Sequence, residues 1–165
     1  MSSEFASIIL NALLNNHDVD LSGDLKKFIE NLSDAVILDI LKNSSDVKGY
    51  EDLFIHLHVI YILYNLGVPY KLKGFKYICT AVLKSLEISE NGTVQITKQI
   101  YPYIARKYNT LGSSVERNIR YITDKFTEET DADTLKRFGI SSSNHSNSQF
   151  ISDITKYIRK NRLII

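Results

Sequence analysis

Between Thr97 and Phe126 the chain reads TKQIYPYIARKYNTLGSSVERNIRYITDKF, and its apolar residues fall into two short helical registers separated by a single turn. Ile100, Ile104 and Tyr108 recur every four residues, while Val115, Ile119, Ile122 and Phe126 recur at intervals of four, three and four. Each series places its members on one face of an α-helix, so the stretch predicts two amphipathic helices. Asn109-Thr110-Leu111-Gly112 lies between them, and Asn and Gly both tolerate the left-handed backbone of a sharp reversal. Ser113 followed by Glu116 predicts a capping box at the start of the second helix. Pro102 is tolerated only near a helix start or at a kink, so the first helix either begins or bends there.

Once the apolar stripe is turned inward, Ser113, Ser114, Glu116, Arg117, Arg120, Tyr121 and Asp124 must face outward. A protruding helix of this kind fits the DNA major groove. There Arg can donate two hydrogen bonds to guanine, Glu can accept from cytosine N4, and Ser can take either role. Arg117 and Arg120, with Glu116, Ser114 and Tyr121, are therefore the candidate base contacts, and Ser113, Lys98, Lys107 and Lys125 the candidate phosphate contacts. Ordinary readings stand beside these. Helix pairs with short turns occur in any bundle, and exposed Arg and Lys side chains are commonly just solvated. A Glu116 carboxylate held in a capping box cannot also read a base.

The remainder of the chain is also read as helical. From Tyr50 to Leu66 runs a long apolar helix stopped by Gly67-Val68-Pro69, and Lys71 to Leu86 forms the next, with Phe75, Ile78, Val82 and Leu86 inward. Glu128-Glu129-Thr130-Asp131 is expected to open a short helix through Arg137. A polar loop, Ser141 to Ser148, precedes a last helix from Ser148 to Arg162, with Phe150, Ile151, Ile154, Tyr157 and Ile158 inward. Ahead of these, Phe5, Ile8, Ile9, Ala12 and Leu13 form one stripe, and Leu25, Phe28, Ile29 and Leu32 form another behind Ser22 as cap. AVILDILKN, apolar nearly all round, suits packing on two sides or self-association. The expected fold is all-α, a helical bundle containing a helix-turn-helix. Residues 1–50 are read as a helical extension for dimerisation, partner binding or extra core, and residues 51–165 as the DNA-binding domain.

Net charge is only +1, but its distribution is uneven. Residues 1–50 hold four Lys and eight acids, net −4, whereas the rest holds 16 basic residues to 11 acids, net +5. The basic excess thus lies with the candidate DNA-binding part, as counterion release requires. The single cysteine, Cys79, excludes an internal disulfide and a cysteine-based zinc site and suits a reducing cytoplasm; its apolar neighbours place it on a buried, unreactive helix face. His56 and His58, two apart on a helix, point away from each other, while His17 and His145 sit in polar loops without companion ligands. No phosphate-binding glycine loop, HExxH or GxSxG motif is present. The longest apolar run, Leu53 to Leu66, is too short to span a bilayer. A cytoplasmic protein that is not an enzyme and needs no cofactor or metal is expected.

ITKQIYPYIARKYN followed by SSVERNIRYI closely resembles the helix-turn-helix of the C-terminal DNA-binding domain of stage 0 sporulation protein A, the response regulator that starts bacterial spore formation. The likeness extends upstream through LGVPYKLKGFKYICTAV and downstream through FGISSSNHSNSQFISDI, roughly Asp52 to Lys160. The family's recognition helix carries Ser-Arg-x-Glu-Arg-x-x-Arg-His, matched here by Ser113, Glu116, Arg117 and Arg120; Ser114 stands for its Arg and Tyr121 for its His. The resemblance implies a transcriptional regulator that binds double-stranded DNA as adjacent copies. It also implies contact with RNA polymerase through the connection after the recognition helix, here Thr127 to Gly139. Full-length members carry a phosphorylatable receiver ahead of this domain. The preceding fifty residues show no such pattern, so control by phosphorylation within this chain is not expected. The alternative is a protein-interaction module, a decoy or antagonist of a sporulation regulator.

Overall fold

The computed structural model describes residues 23–33, 35, 37, 50–89, 92–142 and 146–162. The Phe5 to Leu13 stripe, the Ser22 cap and most of AVILDILKN lie outside the described residues. Among the described residues there are seven α-helices and no strand, in agreement with the all-α expectation. They are α1 (Gly23–Asn31), α2 (Tyr50–Asn65), α3 (Lys73–Ser89), α4 (Tyr101–Lys107), α5 (Gly112–Glu129), α6 (Ala132–Arg137) and α7 (Asn147–Arg162), with a π-helical turn at Ile96–Ile100. The chain divides into two compact units, Met1–Tyr61 with Ile164–Ile165, and Ile62–Leu163.

In the first unit, Phe28 and Ile29 of α1 are buried, and the Phe28 ring meets Tyr61 edge-on with centroids 5.4 Å apart. His58 is buried one turn before Tyr61, and desolvation pushes its pKa down to about 4, so the ring is neutral at physiological pH.

The second unit is built on α3. Its Phe75, Ile78, Val82 and Leu86 are all buried, as their spacing predicts, and the helix packs chiefly on α5 and α7. Cys79 lies on the same buried side, where loss of solvent drives its thiol pKa far upward, so no thiolate is available. Entry into α3 is set by the stop signal in the sequence. Gly67 takes φ 77°, its N–H donates to the Tyr64 carbonyl at 2.9 Å, and the Val68 N–H reaches back to Leu63 at 3.0 Å.

Gly74 determines how closely α3 and α5 approach. A Cβ at this position would sit 2.4 Å from the Asn118 carbonyl oxygen and 2.7 Å from Ile122 Cδ1, so only glycine admits α5 at this distance. Pro102 falls in the first turn of α4, where the preceding π turn gives way to regular α-helix, so the helix begins there.

Two boundaries differ from expectation. Glu128 and Glu129 do not open the short helix but close α5; α6 is capped by Asp131, whose carboxylate accepts from the Thr134 N–H at 2.9 Å. α5 runs on because Phe126 is buried and the Thr127 and Thr130 hydroxyls donate back to the Thr123 and Phe126 carbonyls, keeping the final turns closed. The Thr134 bonds hold the Asp131 pKa below the usual carboxylate range.

Candidate nucleic-acid interface

The helix pair folds as its stripes require. Ile100 and Ile104 are fully buried, as are Val115, Ile119 and Ile122, while Phe126 is 7 % exposed. The reversal between them uses Asn109 at φ 51°, and the Thr110 N–H closes it on the Ala105 carbonyl at 2.9 Å. Gly112 takes no left-handed backbone; it is the first residue of α5. Tyr108 anchors the turn from below, its hydroxyl 3.0 Å from Thr80 Oγ1 and its ring 5.3 Å from Tyr77.

The capping box is absent. The N-cap is Leu111, in extended backbone with φ −94° and ψ 147°, its carbonyl accepts from Val115 at 3.0 Å, and no side chain caps the end. Ser113 and Ser114 therefore lie within the first turn of α5. Exposed amide N–H groups at a helix start remain available to an anion, which is the geometry a phosphate requires.

Glu116, freed from capping, pairs instead with the Arg120 guanidinium one turn along. The two side chains are 42 % and 61 % exposed, so this intrahelical pair holds weakly and yields to a stronger ligand at little cost. Arg117 is exposed and forms no hydrogen bond or ion pair among the described residues. Tyr121 is 50 % exposed. Its ring stands edge-on to Phe126, and its hydroxyl accepts from Lys125 Nζ at 3.3 Å. That bond raises the Lys125 pKa, with the Glu129 carboxylate adding to it.

Ser113, Glu116, Arg117, Arg120 and Tyr121 thus share the outward side of one helix, with Ser114 half-buried at its margin. The Asn118 amide donates to the Ser114 carbonyl at 2.8 Å and approaches its hydroxyl at 3.4 Å. The remaining lysines are spread over other elements. Lys98 is exposed in the π turn, and Lys107, half-buried at the end of α4, lies 5.3 Å over the Tyr108 ring.

Two contributors escape sequence reading. Asn147, expected in a polar loop, is 7 % exposed at the start of α7 and donates both to Tyr101 Oη at 3.0 Å and to the Glu116 carbonyl at 3.1 Å. One side chain therefore fixes α4, α5 and α7 together, directly behind the outward face. Burial raises the Tyr101 pKa and keeps the phenol protonated. Leu111, 72 % exposed at the tip of the turn, is the second; nothing in its periodicity marks it, since it lies between the two stripes.

A solvent-facing helix bearing two arginines is set against a shorter helix by a tight turn and backed by α3 and α7, which is the form of a helix-turn-helix. The sequence matches the family described as Sporulation initiation factor Spo0A C terminal over residues 59–158, and the chain belongs to that family. The family is a DNA-binding regulatory domain rather than a catalytic one. Among the described residues no group of His, Cys, Asp or Glu is arranged to hold a metal ion, and no helix is long and apolar enough to cross a membrane.

Proposed function

We propose that this chain is a sequence-specific transcriptional regulator that acts on DNA in the cytoplasm without phosphorylation of its own residues. The outward face of α5 carries the reading: Arg117 stands open to solvent there, beside an Arg120 restrained only by an exposed intrahelical pair. Arg117 and Arg120 contact guanines, with Glu116, Ser114 and Tyr121 at neighbouring base edges. Ser113 and the first-turn amides of α5 take one phosphate, and Lys98, Lys107 and Lys125 take others. Pairing with a second copy through residues 1–50, and with RNA polymerase through Thr127 to Gly139, completes the reading.

The test compares Arg117→Ala and Arg120→Ala with Lys98→Ala on matched and mismatched duplexes. Each arginine variant is expected to lose about 1–3 kcal/mol on its preferred site and to relax discrimination at one position. Lys98→Ala should weaken all sequences alike and reduce the salt dependence by about one ion. Equal losses on matched and mismatched duplexes for both arginine variants would defeat the proposal. One observation favours the runner-up, an interaction module that keeps the fold as a decoy or antagonist: Ser114, already engaged with Asn118, offers DNA less than the Arg of the family pattern. That reading requires no base preference in the wild type.

A further inference from the structure

A cleft of about 460 Å³ opens in the Ile62–Leu163 unit between the end of α3, residues 92–96 and one side of α7. Ser148, Ser152, Thr155 and Arg159 line it at intervals of four, three and four, so a single face of α7 forms one wall roughly 16 Å long. Seven lining residues carry hydroxyls, and the charged ones are Lys156 and Arg159, with no carboxylate among them. The Arg159 guanidinium is steadied by donating to Ser89 Oγ, which leaves its other N–H groups for a ligand. Ser85, at the end of α3, is 3 % exposed and lines the same cleft, yet its Oγ has no hydrogen-bond partner. Ser89 and Thr155 already donate to the Leu86 and Ile151 carbonyls, but a buried hydroxyl left unsatisfied in a cleft that also holds two cations points to a ligand with acceptor oxygens.

We propose that this cleft binds a phosphate group carried on a small organic body. Arg159 matches phosphate with paired N–H donors, and Lys156, one turn before it on α7, adds a point charge. The space exceeds what a bare phosphate fills and falls in the range of pockets for small metabolites. A DNA backbone presents the same chemistry, and the experiment separates the two sources.

Amide NMR spectra of the intact chain are recorded with inorganic phosphate, glycerol 3-phosphate, glycerol and chloride at matched ionic strength, and separately with a DNA duplex. Phosphate and glycerol 3-phosphate, but not glycerol or chloride, should shift the Ser85, Ser89, Ser152 and Arg159 amides. Lys156→Gln/Arg159→Gln should weaken glycerol 3-phosphate binding by roughly tenfold or more. Ser85→Ala, which removes the hydroxyl without adding bulk, should leave the fold intact and weaken binding severalfold. Shifts of the same amides by DNA, reversed by glycerol 3-phosphate, would assign the phosphate to the DNA backbone; no such shifts with DNA would assign it to a small molecule. Arg117→Ala/Arg120→Ala, aimed at the DNA-reading helix, should bind glycerol 3-phosphate as the wild type does, so this proposal stands or falls apart from that one. Amides that stay unmoved at millimolar phosphate, or binding undiminished in Lys156→Gln/Arg159→Gln, would overturn it.

Discussion

Replacing Gly74 by alanine tests the packing that sets α5 in place. The added methyl would lie 2.4 Å from the Asn118 carbonyl oxygen, 2.9 Å from its carbonyl carbon and 2.7 Å from Ile122 Cδ1. Ile122 can rotate, but the Asn118 backbone cannot move without carrying α5 away from α3. Overpacking of this kind costs about 1–3 kcal/mol. Alanine recovers at most about 1 kcal/mol of helix propensity. The net loss is expected at about 1–2 kcal/mol, which lowers the midpoint of thermal unfolding by roughly 5–10 °C for a unit of this size. Gly112→Ala is the matched control: it too lies in the first turn of a helix, yet an added Cβ there meets nothing within 4 Å and its φ is not positive. It should be neutral or stabilising by up to about 1 kcal/mol. Circular-dichroism melts of the two variants, side by side, decide the matter. If Gly74→Ala melts with Gly112→Ala, α3 and α5 do not approach this closely at Gly74.

Three other perturbations follow from buried groups. Asn147→Ala strips Tyr101 Oη and the Glu116 carbonyl of their shared donor and should cost about 1–3 kcal/mol in urea unfolding; no change would mean that water serves these groups equally well. His58 has a folded pKa of about 4 against 6.5 when unfolded, so the unfolded chain takes up the proton first as pH falls. Stability is fully present above pH 6.5 and declines toward pH 4, with a loss on the order of 2 kcal/mol by pH 5. His58→Gln should flatten that decline, and an unchanged slope would show that His58 is not its source. Cys79, 2 % exposed and with a thiol pKa raised by burial, should react with a disulfide reagent only as fast as the chain opens; prompt labelling of the folded protein would contradict its placement.

What the sequence made legible is what periodicity controls. The intervals of four, three and four in Val115, Ile119, Ile122 and Phe126 leave one arrangement of α5, and its outward residues follow by subtraction. Gly67 before Val68-Pro69 carries its own reason, a left-handed residue that ends a helix. Local signals fared worse where tertiary contacts compete with them. Ser113 with Glu116 has the letters of a capping box, but α5 begins at Gly112 and Glu116 finds Arg120 one turn along instead. Asn147 reads as loop in a run of Ser and Asn, and only the approach of Tyr101 and Glu116 from elsewhere in the chain makes it a buried donor. Gly74 has no sequence mark that separates it from any other isolated glycine; its role exists only because Asn118 crosses it.

Whether α5 reads DNA sequence through Arg117 and Arg120 is decided by selection from a random duplex library. The wild-type chain and Arg117→Ala/Arg120→Ala would be carried through successive rounds at low and at moderate salt. The wild type is expected to enrich a defined motif containing guanines and to bind it less tightly as salt rises, while the double variant retains only salt-sensitive, unselective binding. Failure of the wild type to enrich any motif at either salt concentration, or enrichment of the same motif by the double variant, would contradict that reading.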